Sequence, residues 1–597
     1  MLLQKWVEFF NNASQSHNKN LWVQSPSSFI PTAIRYLIRL DSEGKFEGIV
    51  ATSSGRKKDR GKFYPAPHVL VTSGPEPKLL VGNCEYVLGR PRDPKKDGKK
   101  VLDRHDAFLA ELKKCAQETG NPQVKAVLNF LTSETPKFIV LPDDFASEDL
   151  FTFEVEGALL IDGKEVQEYW LRTQKAAFES GASSGQCIVC GTDCHPGKAH
   201  PIQIKGIPGG QTSGMAIVSA NKEAFYSYGL KNSLLSPTCW DCAESYAKAY
   251  HVLRESEETH LLVGSLVYLF WTREPAGFNI ASLFSQPQPE DVKALIVSAR
   301  TGRSFTSLDS QAFYATALTA SGGRVVVRDW LETTVGQVKE HLARWFALQD
   351  IVNWNGADGR PFGLRHLANS LIPGKGDSQR DLPPNTPRVL LKVALQGGSL
   401  PFWLLFQAIK RNRAEQKRPD NPRELGLWRW RWSARTALIK MVLLSQETLW
   451  KEVTMVRLDE TNTHPAYLCG RLLAVLERTQ QVAQRSVKAT LIDRFYGTAS
   501  TAPATVFPRL LKGAQAHLGK LRKNRLGAYN AFQNRLGAIL GELTAFPAVL
   551  SLPDQGWFSL GYYHQRAWDW AQAKARKEEQ VPGEEAAVEE TPTDAEE

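Results

Sequence analysis

Two CxxC pairs, Cys187-Ile-Val-Cys190 and Cys239-Trp-Asp-Cys242, constrain this chain more than any other feature. If both pairs serve one metal, two segments 48 residues apart must meet in space. Four thiolates in two knuckles close a tetrahedral zinc site, with no open position for catalysis, so such a zinc is structural. The competing reading is four unrelated buried cysteines. Cys194, His195 and His200 lie close enough in sequence to replace one ligand. The isolated Cys84, Cys115 and Cys469 read as buried apolar residues.

CxxC pairs mean metal before disulfide only in a reducing compartment, so the chain's address matters. MLLQKWVEFF lacks the apolar core and small-residue cleavage site of a signal peptide. No apolar run approaches the ~20 residues of a membrane span. The expectation is a cytoplasmic protein with no membrane partner.

Apolar periodicity divides the 597 residues. Up to about 180, strand and helix signals mix. VEFFNN, IRYLIRLDSEGKFEGIVAT, HVLVTSG and PKLLVGNCEYVLG read as strands, and Arg104 to Thr119 as a helix with Phe108, Leu109 and Leu112 on one face. A Gly- and Cys-rich module fills 181–260. Strand and helix return over 261–385, with LLVGSLVYLFW and GRVVVRDWL as buried strands. From 386 to 577 the period is helical, as in CGRLLAVLERTQQVAQRSV, which favours a helical bundle. Linkers are expected at 372–388 and 413–425. Residues 578–597 read as a disordered acidic tail. The predicted class is α+β: a mixed α/β N-terminal domain, a zinc-ribbon-like middle module, an α/β continuation and a C-terminal helical bundle.

The formal charge is +10, but the tail holds nine acids and no Lys or Arg, which leaves +19 on the body. A body this basic suits a polyanion. Arg56, Lys57, Lys58, Arg60 and Lys62 crowd a Gly-flanked loop suited to phosphate contacts or a DNA groove, or to a solvated hairpin tip. Asn83 could read a base edge or stabilise a turn. Lys520, Arg522, Lys523 and Arg525 cluster in a stretch, 455–577, with 17 Lys plus Arg against 7 Asp plus Glu; such a bundle could hold a single strand through its phosphates. Tyr562-Tyr563-His564-Gln565-Arg566 could stack on bases, although a packed helix terminus explains it better.

An enzyme is the rival class. A metal-dependent nuclease could use His105-Asp106, but no further ligands stand out, and neither a GxxxxGK[ST] loop nor HExxH is present. A stand-alone zinc transcription factor fails for want of a recognition-helix motif.

Several long motifs in collinear order carry a resemblance: PKLLVGNCEYVLG, HPIQIKGIPGG, GMAIVSANKEAFYSYG, FYATALTASGGRVVVRDW, LQGGSLPFWLLFQAIKRNRAE, PAYLCGRLLAVLERTQ, LIDRFYGTASTAPATVFPRLL and QGWFSLGYYHQR. Up to Arg566 the chain resembles the Csd1 family, the large subunit of the type I-C CRISPR effector complex (Cascade). It departs at Ala220, where relatives often have an aromatic, at 234–237, and in its CxxC pairs, which are not general to the family. The resemblance implies a non-catalytic scaffold at the foot of a crRNA-bound backbone. Such a subunit recognises the protospacer-adjacent motif (PAM) on duplex DNA, helps form the R-loop and recruits a helicase-nuclease. It also implies a small subunit made by internal initiation. Of Met441 and Met455, Met455 is the better start, because Lys451-Glu452-Val453-Thr454 can be encoded with the purine run AAGGAGGT, whereas Leu438-Ile439-Lys440 offers none comparable.

Overall fold

The computed structural model describes residues 1–16, 18–53, 59–69, 77–91, 98–142, 145–180, 184–220, 222–273, 279–301, 309–373, 382–383, 385–417, 419–446, 455–484 and 490–579. It is an α+β protein that divides into two compact units. The first holds Met1–His260, Ser265–Arg273 and Ala315–Trp330; the second holds Leu261–Gly264, Glu274–Tyr314 and Leu331–Glu597.

In the first unit, β1 (Phe29–Ile34) pairs antiparallel with β4 (Lys62–Pro67) as a two-stranded ribbon. β2 (Tyr36–Leu40) and β3 (Phe46–Ala51) form a hairpin. β5 (Phe151–Val155) then returns parallel to β2, with Tyr36 opposite Phe151, and β6 (Ala158–Leu159) closes the order β3-β2-β5-β6. A parallel return needs a crossover, and helices Gly98–Thr119 and Pro122–Thr132 lie in it. Their apolar faces, Phe108 and Leu112 with Val127 and Phe130, share one core with Ile38, Leu40, Phe151 and Phe153. The short β7 (Gly185–Gln186) and β8 (Asp193–Cys194) pair antiparallel. β9 (His260–Val263), β10 (Leu266–Thr272), β11 (Ala312–Ser321) and β12 (Arg324–Thr334) form a further sheet in the order β12-β11-β10-β9, of which residues 265–273 and 315–330 belong to the first unit.

Two strand expectations fail. VEFFNN lies inside helix Leu2–Gln15. Its aromatics have high strand propensity, but Trp6 and Ala13 are the buried positions, spaced two helical turns apart. The Trp6 ring sits 6.0 Å from Tyr250 on helix Trp240–Glu255, so tertiary packing overrides propensity. In PKLLVGNCEYVLG only a bridge between Gly82 and Phe151 survives. Asn83 accepts from Glu85 N at 3.1 Å and starts the helical turn Cys84–Val87. HVLVTSG lies largely outside the described residues.

Helix Trp240–Glu255 is buried nearly all round. Its charges are satisfied internally: Glu244 and Lys248 pair at 2.9 Å. Glu244 also accepts from Ser28 N at 2.8 Å and from Trp240 Nε1 at 3.1 Å, while Lys248 donates to Ser25 O and Pro26 O. The pair thereby clamps the 25–28 turn, where Ser28 takes φ 68.

The second unit is mainly helical. Helix Pro422–Ser445 is buried from Trp432 onward. The 413–425 linker is short, because helices Phe402–Ala414 and Pro422–Ser445 enter it from both sides. Helices Pro465–Ala483 and Leu552–Glu579 cross at glycines: a Cβ on Gly470 would lie 2.0 Å from Phe558 O, and one on Gly561 2.1 Å from Tyr467 O. Among the described residues, no helix is long and apolar enough to cross a membrane.

Candidate metal centre

β7 and β8 bring the first CxxC pair into a tight turn. Cys187 N donates to Thr192 O at 2.9 Å, and Gly191, at φ 77, donates to Cys187 O at 2.8 Å. The second pair opens helix Trp240–Glu255, with Cys239 as its N-cap and Cys242 in its first turn. Ile188 N donates to Pro237 O at 2.9 Å and ties the two knuckles together.

The Sγ atoms of Cys187, Cys190, Cys239 and Cys242 all lie within 4.8 Å of one another. Cys190 and Cys239 are 3.8 Å apart, too far for a disulfide of about 2.05 Å and close to the ~3.8 Å edge of a tetrahedron with 2.3 Å zinc–sulfur bonds. Backbone N–H groups aim at sulfur: Cys239 N at Cys187 Sγ, 3.4 Å, and Cys242 N at Cys239 Sγ, 3.5 Å. Cys190 Sγ meets Thr192 Oγ1 at 2.9 Å.

These contacts favour thiolate at Cys190 and Cys239. The hydrogen bond from the Cys242 thiol leads in lowering Cys239 to about 5, against the opposing effect of burial; the helix N-terminus adds positive potential there. Cys242, holding the shared proton, is pushed up by the same bond. The donor set, its spacing and its N–H···S bonds therefore fit a metal such as zinc, with every ligand position taken by protein.

The three suggested substitutes stand outside this group. Cys194 is pushed up to about 11, by burial first and then by the neighbouring cysteines. His195 is exposed. His200 is buried with Nδ1 2.5 Å from Tyr246 OH. Among the described residues, the four cysteines are the only group of three or more His, Cys, Asp or Glu placed to hold a metal. His105 Nδ1 lies 2.8 Å from Tyr86 O, and Asp106 is exposed beside it.

The basic residues fall in two places. Arg56, Lys57 and Lys58 lie outside the described residues. Arg60 and Lys62 are exposed, with Lys62 opening β4. Asn83 is 4% exposed, so the cap is the role its side chain plays here. Lys520, Arg522, Lys523 and Arg525 are all exposed where helix Pro503–Asn524 ends. Sequence reading missed Arg509 and Lys512, also exposed; their spacing from Lys520 and Lys523 puts all four on one helical face.

Tyr562 to Arg566 is a packed core element. Tyr562 OH donates to Glu477 Oε2 at 2.7 Å and Arg566 Nη1 to the same oxygen at 2.6 Å. Tyr563 OH donates to Val352 O at 2.9 Å, and His564 Nδ1 lies 3.0 Å from Tyr467 OH. Residues 561–565 are all buried, so the helix is covered on every side here and consecutive polar tips each meet a partner within the protein.

A search of the curated proteins returns no match. The family model for CRISPR-associated protein (Cas_Csd1) matches residues 7–569, nearly the whole chain. The chain belongs to that family and is a large subunit of the type I-C CRISPR effector complex, Cascade.

Proposed function

We propose that this chain is the PAM-recognising, non-catalytic large subunit of an RNA-guided surveillance complex, working in the cytoplasm. The observation that carries the reading is the family match over 7–569. The +19 body charge supports it, since crRNA, duplex target and displaced strand are all polyanions. The N-terminal part, 1–180, takes the PAM duplex through the loop bearing Arg56, Lys57, Lys58, Arg60 and Lys62. The C-terminal bundle guides the displaced strand along Lys520, Arg522, Lys523 and Arg525. A structural zinc on the four cysteines holds the middle module. Target destruction is left to a recruited helicase-nuclease.

The same gene also supplies a small subunit starting at Met455, which carries the basic bundle. Synonymous recoding of Lys451 to Val453 should remove the short chain and spare the long one. Mass spectrometry that finds no chain beginning at Met455 in the unaltered preparation contradicts this assignment.

Co-expression with the crRNA and the backbone and foot subunits tests the main reading. The chain should co-purify in one ribonucleoprotein that binds matched duplex DNA and cuts nothing by itself in magnesium or manganese. Failure to enter that particle overturns it. Cleavage lost with His105→Ala or Asp106→Ala would favour the nuclease reading instead.

A further inference from the structure

The span between the two CxxC pairs does more than connect them. Its base is fastened on several sides: Asn232 N donates to Ala220 O at 3.0 Å, Ser233 N to Lys198 O at 3.3 Å, and Ala216 exchanges backbone bonds with Gly323 and Val325 at 3.0 Å each. Beyond that base the chain makes a tight hairpin at Ser227–Leu230. At its tip Tyr228 is 98% exposed and takes φ 51. A tyrosine held outward in the left-handed region is an uncommon arrangement for a side chain that contributes nothing to a core. Phe225, three residues earlier in the same loop, is 45% exposed.

Cations accompany these rings. The Arg324 guanidinium sits 4.2 Å from the Phe225 centroid, and Lys231 Nζ 5.6 Å from that of Tyr226. Lys222 and Lys231 are exposed on the same loop. Between the cysteine pairs there are four lysines against two acids, Asp193 and Glu223. Exposed ring faces interleaved with cations are the composition that stacks on bases and holds their phosphates. An apolar protein partner would be served by the rings and not by the charge.

We propose that Lys222–Lys231, with Arg324, is a nucleic-acid contact that stacks Tyr228 and Phe225 on bases unpaired at a duplex fork, while Lys222, Lys231 and Arg324 hold the flanking phosphates. This rests on the reading of the chain as a subunit that works on target DNA.

The test uses the full-length chain and a forked DNA duplex carrying 2-aminopurine at the fork. Wild type should bind and change the 2-aminopurine fluorescence. The F225A/Y228A double variant should bind roughly tenfold or more weakly and lose that change, because each base stack contributes a factor of about 5 to 150. Tyr228→Trp should retain both. Metal content and far-UV circular dichroism should match wild type, since the tip is outside the core. Equal affinity and fluorescence change in the double variant overturn the proposal while leaving the DNA reading intact. A wild-type chain that ignores the fork overturns both. Crosslinking from p-azidophenylalanine at position 228, in the assembled complex with target, should mark DNA; crosslinks confined to protein overturn the proposal.

Discussion

Cys239 caps a buried helix and is one of the four cysteines placed to hold a metal. Cys239→Ser keeps an N-cap, because serine caps well, but removes a soft donor. The expected result is zinc falling from about one per chain to near zero, with the first unit loosened; undiminished zinc by metal analysis would contradict the centre. The four-cysteine cluster was legible because CxxC spacing is itself geometric. Their partners were not: Thr192 reaches Cys190 only through the β7–β8 turn. Likewise, Asn83 and Tyr562 to Arg566 have side chains that suit either recognition or a satisfied interior, and only burial separates the two. Burial also sets a pH response. His68, His200 and His251, all in the first unit, are lowered to about 4, chiefly by desolvation. Each stays neutral when folded and gains a proton on unfolding below about pH 6.5. Their contribution to stability is therefore present near pH 7 and is lost as pH falls from about 6.5 to 4. Urea midpoints should drop between pH 7 and 5, and less steeply in His251→Gln; equal slopes would remove the histidines from the account.

At the level of elements, helical period was the reliable signal where it ran long, as in Arg104–Thr119 and most of the C-terminal bundle. Short apolar runs were ambiguous. VEFFNN is compatible with a strand or one face of a helix, and Tyr250, the packing partner of the adjoining Trp6, lies far away in sequence. The crossing of Pro465–Ala483 with Leu552–Glu579 was equally hidden, since Gly470 and Gly561 signal nothing until paired. There the backbones touch, so an added methyl meets a carbonyl at 2.0 or 2.1 Å. Gly470→Ala should destabilise the second unit by about 1–3 kcal/mol or more through overpacking, although alanine is the better helix former. Chemical denaturation reads this directly; a neutral or stabilising effect would mean that the helices do not cross so closely.

Across the whole molecule, motif order pointed to the family, while the division into units did not follow chain order. Residues 265–273 and 315–330 belong with the N-terminal unit, a consequence of β10, β11 and β12 pairing across long insertions that no local pattern announces. The charge distribution belongs to this scale too: residues 1–577 carry +19 and residues 578–597 carry nine acids, so the charge suited to a polyanion lies before the tail. The most direct test of the central claim, that this subunit reads a short motif beside the target, uses the assembled complex and a matched duplex library with randomised flanking bases. Binding and sequencing should enrich a short motif at one end of the target. The enrichment should vanish when this chain is omitted and weaken, with a shallower salt dependence, when Lys57, Lys58, Arg60 and Lys62 are all changed to Ala. Recovery of every flanking sequence in equal proportion, with the chain present and the complex bound, would contradict the account.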